Sequence, residues 1–200
     1  MKNPVVGITG IVASGKSSFC KNLGDLGFRV ISADDLVQAL YQKGSKGTQV
    51  LAKLNINGII NKDGSVNKPK LRGLMFADPE LRKKVEKAVH PIIIDQIKGL
   101  ISMDEQKPVA VEIPLLFEAN LESLCSYTVT VFRKRGHSLI AIKEKYKIAL
   151  AEAENMLNAQ LDMAEKMIRA DFTILNDGTL ADLKKKAEIL KRSVMTLWKK

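Results

Sequence analysis

Apolar positions fall along this chain in two rhythms. Five short runs are nearly continuous in apolar residues: 5–8, 29–31, 109–112, 127–132 and 172–175. Such runs read as strands of a parallel sheet covered on both faces, because a strand buried on both sides has no polar face to show. Between them the apolar residues recur at helical spacing. Residues 17–26 form the first helical pattern, closed by Gly27, and 33–42 the second. Asp78 followed by Pro79 pairs an N-cap with a first-turn proline, which predicts a helix to about Val89. Pro91 then opens another helix through Ile101. Near the end, Thr179-Leu-Ala-Asp182 has the form of a capping box. Leu180, Leu183, Ala187, Leu190, Val194 and Leu197 follow at helical spacing and read as the core face of a closing helix. Strands alternating with helices make this an α/β chain.

Bulk properties narrow the picture. The 200 residues suit one domain, and 46% hydrophobic content suffices for a sizeable core. No run of eighteen apolar residues exists, so no membrane span is expected. Met1-Lys2-Asn3-Pro4 leads straight into the first strand, so no signal peptide is expected. Cys20 and Cys125 stand far apart, outside any metal-spaced cluster, and read as buried free thiols of a reducing cytoplasm. The formal charge is +10, from 32 basic and 22 acidic residues. That balance attracts polyanions, and it fits nucleic acid or phosphorylated small molecules equally well.

The chemistry begins at Gly10-Ile-Val-Ala-Ser-Gly15-Lys16-Ser17, which fits G-x-x-x-x-G-K-[ST]. A strand precedes it and a helix follows, the arrangement that cradles phosphate. Gly10 and Gly15 allow a tight loop whose N–H groups point inward as an anion nest. The following helix adds its positive end. Lys16 can reach the β- and γ-phosphates, and the Ser17 hydroxyl can ligate Mg2+. Two stretches interrupt the sheet pattern. Residues 44–105 are mostly helical and hold the turn Asn61-Lys-Asp-Gly64. Residues 133–170 are polar and lack strand character; between the fourth and fifth strands, they occupy the position of a lid.

Other candidates lie at strand ends, where an open parallel sheet forms its ligand crevice. Asp34 follows the second strand, and its carboxylate can take a proton from an attacking hydroxyl or simply cap the second helix. Glu112 ends the third strand, where a Mg2+-holding carboxylate is often found. Glu118 lies six residues on. His90 before Pro91 reads as a cap between two helices or a contact to an anionic substrate, and His137 as solvated. Arg133, Lys134, Arg135, Lys143, Lys145 and Lys147 form the densest basic cluster, suited to closing over phosphates. Tyr146 alone interleaves it, which argues against base stacking by nucleic acid. Asn176-Asp177-Gly178 reads as a turn or as a contact to adenine.

Several motifs together resemble the dephospho-coenzyme A kinase family over nearly the whole chain. They are Gly7-Ile-Thr-Gly10 leading into Ser14-Gly-Lys-Ser17, Ala33-Asp34, Asp63-Gly64-Ser-Val-Asn67 and the stretch from Leu71 to Pro79. His90-Pro91, Glu112-Ile-Pro-Leu-Leu-Phe-Glu118, Gln160, Lys166, Ala170-Asp171 and Asn176-Asp177-Gly178 complete the set. The resemblance implies a three-layer P-loop kinase fold with a five-stranded parallel sheet, a helical substrate-binding insertion and a helical lid. It divides a single domain, 1–200, into a core at 1–44, 106–132 and 171–200, a substrate region at 45–105 and a lid at 133–170. It implies transfer of the ATP γ-phosphoryl group to the ribose 3′-hydroxyl of dephospho-coenzyme A, with Mg2+.

The same resemblance makes Lys16 and Asp34 catalytic, with Asp34 as the base. It gives ATP contacts to Gly10, Ala13, Ser14, Gly15, Lys16, Ser17, Ser18 and Asn176, and Mg2+ to Ser17. Asp34, His90, Glu112, Leu115 and Phe117 face the second substrate. ATP and dephospho-coenzyme A are then the partners, with no membrane and no nucleic acid, and no oligomeric state is implied. The chain departs from the family pattern where Ile11 and Ala13 replace loop glycines. It departs again where Ala141, Lys145 and Met156 stand at positions that usually hold lid arginines; Arg133, Arg135 and Arg169 are the candidate substitutes. A nucleoside or nucleotide kinase, or a non-catalytic nucleotide- or nucleic-acid-binding protein, is the alternative.

Overall fold

A computed structural model describes residues 3–103, 106–158 and 160–199. Residues 104 and 105, which close the stretch expected to bind substrate, lie outside the described residues. The five apolar runs form strands β1 (Val5–Thr9), β2 (Arg29–Ser32), β3 (Val109–Glu112), β4 (Tyr127–Phe132) and β5 (Phe172–Leu175). They pair in the order β2-β3-β1-β4-β5, and every pairing is parallel. The central strands β1 and β3 are buried throughout, which is why no alternation marks them.

The chain resolves into two compact units, Met1–Ser32 with Met103–Lys200, and Ala33–Ser102. The first unit carries the sheet. Helix α1 (Lys16–Asp25) follows β1. Within Ala33–Ser102 lie α2 (Ala33–Leu40), α3 (Lys46–Lys53), α4 (Lys68–Ala77) and α5 (Pro79–Ser102). The stretch after β4 folds as α6 (Arg135–Tyr146), α7 (Leu150–Asn158) and α8 (Met163–Arg169), and the chain closes on α9 (Leu180–Trp198). Phe19, Cys20 and Leu23 of α1 and Leu183, Ala187, Leu190 and Val194 of α9 pack with Val6, Ile8, Ala110, Val129 and Val131 of the sheet.

In the second unit, α5 packs against α2, α3 and α4. Asn67 caps α4 by accepting from the Lys70 N–H, 3.1 Å. The expected turn at 61–64 is present: the Gly64 N–H donates to the Asn61 carbonyl, 2.9 Å.

Two sequence expectations are corrected. The helices foreseen on either side of Pro91 are one, α5, with Pro91 inside it. Val85, Val89, Ile93 and Ile97 are buried at four-residue spacing on one stripe that runs across the proline. Burial of that stripe outweighs the lost N–H at Pro91. His90 therefore caps no junction; it is exposed in mid-helix. Leu180 and Leu197 are exposed, 78% and 44%, although their spacing matches the buried stripe of α9. Periodicity assigns a residue to a face but says nothing of where along the axis the core ends.

The box at the start of α9 is as expected. Thr179 Oγ1 accepts from the Asp182 N–H, and Asp182 accepts from the Thr179 N–H. Hydrogen bonds from the Thr179 side chain and backbone hold the Asp182 carboxyl below its ordinary range.

A prolyl ring inside a helix leaves one carbonyl without its donor and crowds the preceding turn. Pro91→Ala is therefore expected to raise stability by about 1–3 kcal/mol, read as a higher urea midpoint at unchanged m-value. An unchanged or lower midpoint would show that ring packing outweighs the helix defect.

Candidate active site

Strand β1 is flanked by β3 on one side and β4 on the other, so the chain changes direction about it. Its carboxyl end is the switch point of the sheet, where parallel α/β folds open a ligand crevice. The phosphate-binding loop leaves β1 there. Gly10, at φ 145°, lies so close to the carbonyl of Val131 in β4 that a Cβ would overlap it. Gly15, at φ 91°, faces the Asn176 amide in the space a side chain would fill. Ala13 adopts φ 57°, the left-handed conformation that glycine enters freely and alanine at modest cost.

Gly15 is the N-cap of α1, with no side chain capping the helix and no acid in its first turn. The start of a helix presents its leading N–H groups outward, the geometry that binds an anion. Lys16 is buried, and its ammonium donates to the carbonyls of Gly10, 3.0 Å, and Ile11, 2.7 Å. Ser17 Oγ donates to Glu112 Oε1 at 2.8 Å. Glu112 lies at the end of β3, in register with Ile8 of β1 and Ser32 of β2, and is 9% exposed. Ser14 Oγ is buried in the loop without a hydrogen-bond partner. Two hard oxygens side by side, an orphaned hydroxyl and an uncapped helix start form a site with the chemistry of a metal-bound polyphosphate.

Cys20, one turn further along α1, is no nucleophile. Burial first, then the charge of Glu112, push its thiol well above the ordinary range, against the opposing effect of Lys16. Cys125 is likewise pushed up to about 12 by burial, with Glu122 and Asp171 adding to it. Both cysteines are free, as expected, but only Cys20 is fully buried.

Two residues, Asn176 and Gln160, fix the loop from outside. Asn176 follows β5; its N–H donates to the Phe132 carbonyl, 2.7 Å, and its Nδ2 to the Ser14 carbonyl, 2.8 Å. Gln160 Oε1 accepts from the Val12 N–H, 2.8 Å. Lys166 of α8 is completely buried; its ammonium meets Glu118 Oε1 at 2.8 Å and the Pro114 carbonyl at 3.1 Å. Arg169 pairs with Glu122 and lies over the Phe117 ring, 4.8 Å from its centre. Gln160, Lys166 and Glu118 stand in the sequence as motif residues, yet nothing local marks their partners, which are 148 residues away for Gln160 and 48 for Lys166.

Leu115 and Phe117 share the segment after β3. Leu115 is 40% exposed, whereas Phe117 is buried. Asp34 and His90 belong to the second unit. Asp34 is exposed in the first turn of α2, two residues after β2 ends, and His90 is exposed on α5. His137 is solvated as expected, and it also places Nδ1 3.0 Å from Asp177 Oδ1. Desolvation works against the Asp177 charge. The His137 hydrogen bond, the Lys134 N–H and the nearby positive charges outweigh it and hold that carboxyl below the ordinary range.

The lid contacts the loop through apolar side chains. Ile11 is buried with Ile142, Ala153 and Leu157, and Val12, Ala13, Leu139 and Met156 pack around them. Arg135 is occupied by Asn158 Oδ1, 3.2 Å.

The family model for dephospho-CoA kinase matches residues 4–182. A dephospho-CoA kinase of Fusobacterium nucleatum is 32% identical over 184 residues, covering 92% of this chain and 95% of the relative. One from Bacillus cereus is 30% identical over 189 residues, covering 93% and 94%. A crystal structure of a Thermus thermophilus protein superposes with TM-score 0.84 at 27% identity, covering 96% of this chain and 98% of that one. The dephospho-CoA kinase of Campylobacter jejuni gives 0.70 at 26%, covering 95% and 96%. A shikimate kinase of Acinetobacter baumannii, TM-score 0.56 at 15% identity, shares the fold.

A buried ammonium left without its carboxylate is costly. Lys166→Met alone and Glu118→Leu alone are each expected to lower stability by about 2–4 kcal/mol. The double change to Met and Leu should recover most of that loss. Additive losses in the double-mutant cycle would show that the two residues act independently.

Proposed function

We propose how this chain, which belongs to the dephospho-CoA kinase family, divides its reaction among its residues. The protein is an ATP-dependent kinase that converts dephospho-coenzyme A to coenzyme A, releasing ADP. The new bond joins the ribose 3′-oxygen to the γ-phosphorus, and the bond from that phosphorus to the β,γ-bridging oxygen breaks, its electron pair leaving with ADP. Such a transfer needs little covalent help from the protein, so the work is placement and charge neutralisation.

The single observation that carries this assignment is the Ser17–Glu112 pair beside an uncapped helix start, 2.8 Å apart. The loop from Gly10 to Ser18 cradles the β- and γ-phosphates, the Val12 N–H being held by Gln160 and the Ser14 N–H by the Ile11 carbonyl, and the Lys16 ammonium serves them. Ser17 and Glu112 would hold Mg2+, an ion that takes one or two protein oxygens and completes its shell with phosphates and water. Mg2+ held by these two residues would supply positive charge to neutralise the phosphates. Asp34 takes the proton of the 3′-hydroxyl, and His90, Leu115 and Phe117 receive dephospho-coenzyme A. Asn176 keeps the loop open from the adenine side; its bond to the Ser14 carbonyl supports that role.

Residues 45–105 serve as the substrate region and 133–170 as the lid. Two unpaired thiols and phosphorylated substrates fit the cytoplasm, and among the described residues no helix is long and apolar enough to cross a membrane.

A coupled ADP-release assay, run with and without dephospho-coenzyme A, tests the assignment. Release should depend on the acceptor, and the product should be heavier by one phosphoryl group. Lys16→Ala and Asp34→Asn should each cut kcat by about 100-fold or more with unchanged circular dichroism. Near-normal turnover in Asp34→Asn would remove it as the base, and ADP release without the heavier product would point to a different acceptor.

A further inference from the structure

Arg133 is the first residue after β4, and its Nε is buried without a hydrogen-bond partner. A buried donor left unsatisfied is unfavourable and calls for an explanation at the position where it occurs. Among the described residues, no ion pair, ring or hydrogen bond engages this side chain; only its backbone carbonyl is used, by Ser138 Oγ.

The surroundings of Arg133 are those of the nucleotide site. Two residues before it, the Val131 carbonyl carries Gly10 of the loop. One residue before it, the Phe132 carbonyl accepts from Asn176, whose side chain holds Ser14. The chain thus enters the lid at the foot of the phosphate-binding loop, and Arg133 stands at that entry.

The other cations of the lid are spent or solvated. Arg135 is held by Asn158, Arg169 by Glu122 and the Phe117 ring, and Lys166 by Glu118. Lys134, Lys143, Lys145 and Lys147 are exposed, and Lys145 lies over the ring of Tyr146, 5.4 Å from its centre. A nucleoside triphosphate brings several negative charges into the loop. A planar guanidinium can meet a phosphate with two donors, which an ammonium cannot.

We infer that Arg133 is the second cation of the nucleotide site, a phosphate-binding residue that joins Lys16 in neutralising the triphosphate. The inference rests on the nucleotide-site reading above. The orphaned Nε is the mark of that role: its acceptor is an oxygen of the ligand. Because the residue lies at the junction of β4 and the lid, its engagement also ties nucleotide occupancy to the start of the lid.

Titration calorimetry with ATP, ADP and adenosine on the full chain tests this apart from turnover. Arg133→Gln should weaken ATP by about 10–100-fold, the loss of one charge-assisted contact, and leave adenosine unchanged. Arg133→Lys should recover part of the ATP affinity. The melting midpoint of the unliganded protein should hold or rise, since an unsatisfied donor is gone. Arg192→Gln, which removes the same charge from an exposed position on α9, should leave ATP affinity within about 2-fold, as expected for screened surface charge.

Wild-type ATP affinity in Arg133→Gln would overturn the inference. So would a lowered unliganded midpoint with ATP affinity intact in Arg133→Lys, the signature of a structural role. If wild type binds ATP and Lys16→Ala does not, the nucleotide-site reading stands whatever Arg133 does. If wild type fails to bind ATP, that reading fails and the inference falls with it.

Discussion

The site depends on one close approach of backbone to backbone. Gly10 sits against the Val131 carbonyl with no room for a Cβ. That contact sets the height at which the loop leaves β1 and the angle at which α1 begins. A side chain there would lift the loop off β4 and swing the uncapped N-terminus of α1 away from the crevice. Gly15 repeats the constraint at the other end of the loop, where the Asn176 amide occupies the space. The loop is thus seated on one side of β1, on β4 through Val131 and on the segment after the edge strand β5 through Asn176. An anion nest works only if its N–H groups are already aimed before the ligand arrives, and these two contacts aim them.

Much of this was legible in the sequence. All five strands occur where the apolar runs place them; β1 and β3 are buried throughout, the condition that leaves a continuous apolar signal, whereas the edge strands β2 and β5 are only partly buried. The loop was legible because glycine, lysine and serine at fixed spacing report a local geometry. What escaped was whatever depends on distant chain. The pairing of Lys166 with Glu118 and the grip of Gln160 on Val12 join segments that no spacing rule connects. The contact of the solvated His137 with Asp177, forty residues on, is of the same kind.

Helix boundaries failed in an instructive direction. A proline before an apolar stretch reads as a start, yet Pro91 is carried inside α5 because the stripe from Val85 to Ile97 is buried without a break. At α9 the opposite occurred: spacing promised burial at Leu180 and Leu197, and the core stopped short of both. In each case tertiary packing, which the sequence does not print, decided between two locally acceptable outcomes.

The apolar seam between loop and lid has a consequence for how such a protein changes over generations. Ile11 and Ala13 stand where the family resemblance leads one to expect glycine, and Met156 where it leads one to expect arginine, and all three belong to one packed cluster. They are therefore physically coupled. Restoring glycine at position 11 alone would open a hole beneath Ile142 and Leu157, and placing arginine at 156 alone would push a charge into an apolar seam. Each step back is disfavoured until the others have been taken. Substitutions at these three positions are therefore expected to be non-additive.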